Sequence, residues 1–143
     1  MAEFPDSSVT ITAAAIAGIR EAAIAARPAE ACGLLFGHAG QILSATVCNN
    51  VAADRMRQFE IEPAALFAAH RRGRDGPLAL IGVWHSHPNG SPTPSARDAA
   101  GISDRHWIWL IEAHGTLLAF CPHAASASGF RALALAANPS AAM

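Results

Sequence analysis

Two histidines, His85 and His87, stand at the end of the apolar run LALIGVWHSH and are separated by one residue. The run has the composition of a buried β-strand, and residues two apart on a strand point to the same face of the sheet. The two imidazoles are therefore predicted to lie side by side, within reach of a single metal ion. A His-x-His pair on its own also fits two ordinary surface histidines at a strand end, so the pair needs support from other residues.

The chain that follows the histidines brings an acidic residue back toward them. Pro88 ends the strand because it cannot donate to a sheet ladder, and the residues NGSPTP form an irregular loop. Ser95 and Asp98 then fit the start of a short helix, with serine as the N-cap and the acid three residues later. Helix capping alone would explain both residues, yet the same geometry turns Asp98 toward the histidines. Two imidazoles and one carboxylate suit zinc, with a fourth position left for water.

The stretch HSHPNGSPTPSARD resembles the signature of the JAMM/MPN family of zinc metallopeptidases, which is His-x-His-Pro, a loop, and Pro-Ser-x-x-Asp. The residues that match this signature are His85, His87, Pro88, Pro94, Ser95 and Asp98. The segment EACGLLFG, which begins at Glu30, resembles the family's upstream glutamate before a Cys-Gly-aliphatic strand. The likeness extends from about Glu30 to Phe120, and short single-domain bacterial members resemble the chain most.

The resemblance implies a role for each of the matching polar residues. His85, His87 and Asp98 would be the ligands of one zinc ion per chain. Glu30 would act as the general base on water and pass the proton to the leaving amine. Ser95 would donate a hydrogen bond to the oxyanion of the tetrahedral intermediate. The assignment of Glu30 rests on the resemblance alone, because nothing in the spacing connects it to the histidines.

Other residues that could do chemistry have simpler explanations. The other acids considered are Glu21, Glu60 and Glu62, and the last two fit the solvent face of a strand. Core packing is the better explanation for the tryptophans, and a surface or hydrogen-bonded position is the better one for the remaining histidines: Trp84, Trp107, Trp109, His38, His70, His106, His114 and His123.

The family resemblance also implies a substrate. Family members cut bonds after the C-terminal tail of ubiquitin or ubiquitin-fold proteins, and the short bacterial members resemble enzymes that process ubiquitin-fold sulfur-carrier proteins. We therefore expect a ubiquitin-fold carrier protein or its conjugates as substrate, with the tail laid along a sheet edge by strand addition. The alternatives are a non-catalytic MPN scaffold in a complex and a RadC-like DNA-associated metalloprotein.

Length and composition fit one cytoplasmic domain. The 143 residues predict a single domain, 1–143, with 137–143 as a flexible tail. A net charge of −1 gives no indication of nucleic acid or a membrane as partner, and no apolar run suits a signal peptide or a transmembrane helix. The oligomeric state is open, with a homodimer as one option. Cys32, Cys48 and Cys121 are widely spaced, which favours reduced thiols that behave as small hydrophobic side chains.

The remaining pattern predicts helices mixed with strands, several of them linked as hairpins. A first helix over SSVTITAAAIAGIREAAIAARPAE would be capped by Ser7 or Ser8 and ended by Pro28, a second would begin at Pro63, and a third would cover SARDAAGISD. Strands are predicted at ACGLLFG, QILSATVCNNV, RQFEIEP, LALIGVWHSH, HWIWLIEA, GTLLAFC and FRALALA, the last of which also fits a helix. The fold class is therefore α/β (α+β), and the resemblance implies an MPN-type curved mixed sheet flanked by helices, with cytidine-deaminase-like layering.

Overall fold

A computed structural model describes residues 8–138 of the chain. Seven strands and three helices lie in this range, and the predicted mixed sheet flanked by helices is confirmed. Along the chain they are β1 (Ser8–Ile11), α1 (Ala13–Ala26), β2 (Cys32–His38), β3 (Gln41–Ala45), α2 (Pro63–Asp75), β4 (Ala79–Ser86), α3 (Ala96–Ala100), β5 (Ile108–Ala113), β6 (Thr116–Pro122) and β7 (Phe130–Ala137). No helix among residues 8–138 has the length and apolar character needed to cross a membrane.

The strands close into a barrel in the order β1-β3-β2-β4-β5-β6-β7. Strand β4, which carries the first histidine of the pair, is flanked by β2 in antiparallel and by β5 in parallel orientation. Strand β1 closes the barrel by pairing in parallel with both β3 and β7. Within residues 8–138 each strand therefore has a neighbour on both sides, and the prediction that a peptide adds to a free sheet edge is wrong.

The first helix begins later than the sequence predicts. Residues Ser8–Ile11 form β1 instead, because their alternating exposed and buried side chains suit a strand. The helix is capped by Thr12, whose hydroxyl oxygen accepts a hydrogen bond of 3.1 Å from the backbone N–H of Ala15. The predicted cap at Ser8 is therefore wrong, and the alternative cap, Ser7, lies outside the described residues.

Two further predictions about the elements are wrong. The segment RQFEIEP is not a strand, since it makes only an isolated bridge between Asn50 and Ile61. The predicted tail 137–143 begins too early, because Ala137 belongs to β7. The backbone N–H of Asn138, a buried residue, also donates a hydrogen bond of 2.9 Å to the carbonyl oxygen of Ile11.

The sheet separates two apolar clusters, because successive residues of a strand point to opposite faces. One cluster packs with α1 and contains Trp84, whereas the other packs with α2 and α3 and contains Trp109. The core positions predicted for these tryptophans are confirmed, and Cys32 and Cys121 are buried as well. The same alternation turns His85 to the face opposite Trp84, where the site is built.

The Trp84 side chain depends on a glycine in the neighbouring strand. Its indole Nε1 donates a hydrogen bond of 2.8 Å to the carbonyl oxygen of Thr46. The indole crosses β2 at Gly33, where a Cβ atom would overlap both the Thr46 carbonyl oxygen and the indole nitrogen. The absence of a side chain at Gly33 therefore allows Trp84 to be buried and hydrogen-bonded at once.

We expect Gly33→Ala to lower the free energy of unfolding by roughly 2–3 kcal/mol, because the added methyl group forces the strand and the indole apart. Urea denaturation measures this change. The matched control is Gly18→Ala in α1, where an added Cβ meets nothing within 4 Å and a small gain is expected from helix propensity. Equal stability of the two variants would contradict the prediction.

Candidate metal centre and active site

The structure brings His85, His87 and Asp98 together. The Nε2 atoms of the two imidazoles lie 3.0 Å apart. Asp98 Oδ1 lies 3.1 Å from His85 Nε2, and Asp98 Oδ2 lies 3.1 Å from His87 Nε2. All three residues are buried, and the described part of the chain contains no other group of three such side chains with converging ligand atoms.

The donor set of this cluster fits a divalent cation. His87 Nδ1 lies 2.7 Å from the carbonyl oxygen of Ser91, so an N–H at Nδ1 donates to that oxygen and Nε2 carries a lone pair in the neutral ring. That lone pair faces a carboxylate oxygen of Asp98, and two acceptors at 3.1 Å repel unless a proton or a cation lies between them. His85 also directs Nε2 to this point, while its Nδ1 has no hydrogen-bond partner. Two imidazole nitrogens and a carboxylate oxygen are zinc ligands in many proteins.

The start of α3 holds the Asp98 carboxylate in place. The backbone N–H of Ser95 donates to Asp98 Oδ2 at 2.9 Å, and the backbone N–H of Asp98 donates to Ser95 Oγ at 3.0 Å. These two bonds form a capping box. Asp98 can therefore cap α3 and belong to the site at the same time, because one of its oxygens accepts the bond at the helix start and both oxygens face the imidazoles.

The loop between β4 and α3 is held by hydrogen bonds where it leaves β4. His87 bonds to the Ser91 carbonyl as described, and the backbone N–H of His87 donates to the carbonyl oxygen of Glu112 at 2.7 Å. His114 lies in the turn between β5 and β6, and its Nε2 lies 2.9 Å from the carbonyl oxygen of Pro88. His114 is thus an exposed, hydrogen-bonded histidine, as the sequence predicts.

Glu30 reaches the site through the pairing of β2 with β4. Cys32 lies opposite His85 in this register. Just beyond, the backbone N–H of Ala31 donates to Ser86 Oγ at 2.8 Å, and the backbone N–H of Ser86 donates to the Ala31 carbonyl at 3.0 Å. These residues are 55 positions apart in the chain, so only the sheet brings them together.

Glu30 and His87, one member of the cluster, line the same cleft. The cleft has a volume of about 530 Å³. Its lining includes Glu30, His87 and Ser95 together with two side chains that the sequence did not indicate, Met56 and Arg57. The residues proposed from the family resemblance for general base, ligand and oxyanion donor therefore share one solvent-accessible space.

The Glu30 carboxyl is buried at the inner end of this cleft. The residue is 5 % exposed, and its Oε1 has no hydrogen-bond partner. Burial raises the pKa of Glu30 from 4.5 to about 7, an effect that the charge of Asp98 increases and that of His87 opposes. A carboxyl group with a pKa near neutrality can both take up and release a proton at physiological pH.

The protonation states of the three clustered residues follow from their contacts. Burial favours the neutral form of Asp98, but its hydrogen bonds to His85 and His87 lower its pKa below the usual range. Burial lowers the pKa of His85, so its ring is neutral. Burial also disfavours the charged form of His87, but the bonds to Asp98 and the Ser91 carbonyl raise its pKa. Zinc binding at these residues would require the neutral form of His87, with the Nε2 lone pair free.

Sequence reasoning missed two residues that support the site. Phe59 stacks on the His85 ring, with centroids 4.3 Å apart and an angle of 23° between the planes. The apolar alternation of RQFEIEP marked Phe59 as inward-facing, although the strand inferred from it is absent. The other residue is Asn50, whose side chain makes several backbone hydrogen bonds and for which the sequence offered no signal.

The family model described as prokaryotic homologs of the JAB domain matches residues 12–122. The chain belongs to this family. It is 36 % identical over 98 residues to a desampylase of Haloferax volcanii, a match that covers 64 % of this chain and 68 % of that protein. It is 32 % identical over 82 residues to a desampylase of Pyrococcus furiosus, covering 57 % and 58 % of the two proteins. The predicted membership of the JAMM/MPN family and the predicted JAMM type of metal-dependent hydrolase are confirmed.

Solved structures show the same fold. A protein from Desulfitobacterium hafniense superposes with a TM-score of 0.74 at 24 % identity, over 91 % of this chain and 92 % of that one. A JAB1/MPN domain protein from Archaeoglobus fulgidus superposes with a TM-score of 0.60 at 18 % identity, over 92 % and 99 % of the two chains. The MPN-type fold predicted for this JAB family member is thus confirmed.

The buried Glu30 predicts a pH dependence of stability. Between pH 4.5 and about pH 7 the folded protein binds more protons at Glu30 than the unfolded chain does. The contribution of Glu30 to the free energy of unfolding is therefore present below pH 4.5 and is lost as the pH rises through 7. The full effect is about 3 kcal/mol. In metal-free protein, the free energy of unfolding of Glu30→Gln relative to that of the parent should therefore rise from pH 5 to pH 8 by an amount of this order.

Urea denaturation of both proteins in the presence of a chelator at the two pH values measures this difference. Glu21→Gln makes the same change at an exposed position and is the matched control. Parallel pH profiles for the parent and Glu30→Gln would show that the Glu30 carboxyl is not destabilised by burial.

Proposed function

We propose that this protein is a zinc-dependent hydrolase that cleaves a peptide or isopeptide bond after the C-terminal tail of a ubiquitin-fold, sulfur-carrier-like protein. One observation carries the proposal: Glu30, whose buried Oε1 has no hydrogen-bond partner, lines the same cleft as His87, which forms a cluster with His85 and Asp98. The match to two proteins named desampylase supports the class of bond and substrate. The complete set of polar residues distinguishes this proposal from a non-catalytic scaffold.

His85, His87 and Asp98 would hold one zinc ion per chain. Their converging atoms, two Nε2 and the carboxylate oxygens, supply three ligand groups, which is the number found in catalytic rather than structural zinc sites. When bound, zinc supplies a Lewis acid for the substrate carbonyl and lowers the pKa of water to about 7. The protein's own groups then direct the proton transfers.

Glu30 moves the proton in this proposal. Its Oε1 has no partner in the protein, so it can accept a proton from the attacking water as the oxygen–carbon bond forms. The carboxylic acid then gives the same proton to the nitrogen of the leaving amine as the carbon–nitrogen bond breaks. A pKa of about 7 suits both steps, since the group is neither too weak a base nor too weak an acid.

Ser95 would stabilise the oxyanion. Its Oγ acts as an acceptor in the capping box, so the hydroxyl proton is not used by that bond. The hydroxyl lines the cleft and can donate to the substrate oxygen as negative charge develops there. The same side chain thus caps α3 and serves the reaction.

The cleft, rather than a sheet edge, would hold the substrate tail. Residues 8–138 offer no free edge strand, as the barrel is closed. Polar side chains of the loop after β4, including Asn89, Ser91 and Thr93, line the cleft and can bond to an extended backbone. Glycines before the scissile bond suit a buried base at its inner end, because a chain without Cβ atoms can approach most closely.

The metal assignment predicts different outcomes for the two members of the capping box. Asp98→Asn keeps an acceptor for the Ser95 N–H but removes the charge between the imidazoles, so purified protein should lose its equivalent of zinc. Ser95→Ala should keep zinc and lose about 1 kcal/mol of stability through the lost cap. Elemental analysis measures the zinc content, and thermal denaturation measures the stability. Full zinc in Asp98→Asn would reduce Asp98 to a capping residue.

The role of Glu30 predicts a loss of turnover without loss of metal. Glu30→Gln preserves shape but cannot accept the proton, so kcat should fall roughly 10²- to 10⁴-fold. Zinc content and the circular dichroism spectrum should match those of the parent. Glu62→Gln, at an exposed position, is the matched control and should be fully active. Near-parental turnover by Glu30→Gln would remove Glu30 from the mechanism.

The substrate class is tested with a ubiquitin-fold carrier protein extended by a short peptide after its Gly-Gly terminus. Intact mass spectrometry should show cleavage after Gly-Gly that stops when a chelator is added. Substitution of the glycines by valine should slow cleavage strongly, since the Cβ atoms obstruct the inner cleft. Equal cleavage of unrelated unfolded peptides would leave a general metallopeptidase and exclude a ubiquitin-fold specificity.

A further inference from the structure

Residues 51–60 form an irregular loop, here termed the cleft loop, that supports the site from several directions. Apart from turns, it contains no helix or strand, and most of its side chains are exposed. Met56 and Arg57 line the cleft. Phe59 stacks on the His85 ring, and the carbonyl oxygen of Arg55 accepts a hydrogen bond of 2.7 Å from the backbone N–H of Glu30. The exposed cleft loop thus contacts both the buried ring of His85 and the backbone of the buried Glu30.

The side chain of Asn50 forms hydrogen bonds with backbone groups near both ends of this loop. Its Nδ2 donates hydrogen bonds to the carbonyl oxygens of Glu30, at 2.9 Å, and Gln58, at 3.1 Å. Its Oδ1 accepts hydrogen bonds from the backbone N–H groups of Ala52, at 3.0 Å, and Glu60, at 3.1 Å. A primary amide has two donor hydrogens and two acceptor lone pairs, and all four are used here.

Other contacts of the cleft loop are weaker. Asp54 lies 3.6 Å from Arg57 and 3.8 Å from Arg97, but these charged groups are substantially exposed. Exposed ion pairs contribute about 0–1 kcal/mol each and are screened by salt. Hydrogen bonds between a half-buried amide and four backbone groups provide more stabilisation and fix geometry at both ends of the loop.

We propose that Asn50 is a positioning residue for the reaction, which holds the Glu30 backbone and the cleft loop in one fixed arrangement. The proposal rests on the role given to Glu30 above. Glu30 lies between α1 and β2, where the pairing with β4 begins only at the next residues, so its own backbone needs a separate anchor. The Asn50 amide and the Arg55 carbonyl supply that anchor, one at the Glu30 C=O and one at its N–H.

The test compares Asn50→Asp and Asn50→Ala with the same changes at Asn49. Asn50→Asp keeps the acceptor of the Ala52 and Glu60 bonds and loses only the two donors, so it is the variant closest in shape to the parent. Asn49 is the exposed neighbour of identical chemistry. Its variants should behave like the parent in every measurement.

The first measurement needs no substrate. Amide hydrogen exchange by NMR on the zinc-loaded protein should show the Glu30 N–H exchanging about tenfold faster in both Asn50 variants, because the segment opens locally. The Asn49 variants should leave this rate unchanged. A Glu30 amide equally protected in the Asn50 variants would overturn the proposal, whatever the activity of the protein.

The second measurement is turnover in two backgrounds. With zinc content retained, the Asn50 variants should lose roughly 10- to 100-fold in kcat. A loss of this size is expected when the Glu30 carboxyl moves by a fraction of an ångström to about 1 Å. In the Glu30→Gln background the same changes should cost less than about twofold, because a residue that acts through Glu30 has nothing left to position. An equal loss in both backgrounds would show that Asn50 has only a structural role. If the parent itself does not cleave the tail, the proposed function fails, and the exchange measurement still decides the role of Asn50.

Discussion

The site depends on one carboxylate held between two imidazoles. Asp98 contacts the Nε2 atoms of His85 and His87 through different oxygens, and all three groups are buried. A carboxylate without water is costly unless hydrogen bonds and positive charge offset the loss of hydration. The Ser95 N–H and a proton or cation shared with the imidazoles provide this compensation. These polar contacts thereby add to the apolar packing that holds helix α3 against the sheet.

The position of β4 in the barrel gives this cluster a rigid base. Its neighbours β2 and β5 hold it on both sides, and the residues that follow His87 are tied to β5 through the Glu112 carbonyl. The register of β2 against β4 also decides which of the residues just before β2 reaches the cleft. Because a shift of one residue would turn every side chain of a strand to the other face, Glu30 would no longer approach the imidazoles. The geometry of the candidate site is therefore a consequence of strand register.

Local sequence patterns were sufficient for the metal cluster but not for the whole site. The same-face histidines and the Ser95–Asp98 helix start follow from strand and cap geometry, which involve only neighbouring residues. Glu30 was assigned by family resemblance, because the pairing that brings its neighbour Ala31 to Ser86 spans 55 residues. Strand β1 was misjudged as helix since its apolar residues continue the spacing of α1, and only its pairing with β3 and β7 distinguishes it.

The segment RQFEIEP shows a different limit of sequence reasoning. Its alternation is real, as Phe59 is directed to His85 while Glu60 is exposed. A strand needs a partner with free backbone groups, however, and here the side chain of Asn50 takes up the Gln58 carbonyl and the Glu60 N–H. Patterns of apolar residues indicate which way side chains face, but they do not indicate whether backbone groups bond to a strand or to a side chain.

The burial of the Glu30 carboxyl lowers the stability of the fold but suits the proposed role of this residue in proton transfer. Burial without a partner for Oε1 is unfavourable for the charged form, and the pKa of about 7 is the measure of that cost. A neutral side chain would stabilise the metal-free fold at high pH, but it could not take a proton from water. A hydrogen-bond donor placed at Oε1 would have a similar drawback, because it would lower the pKa and make the carboxylate a weaker base. The polar contacts around Glu30 are instead made with its backbone, by Asn50 and Arg55, and these hold the residue in place while leaving the carboxyl available for proton transfer.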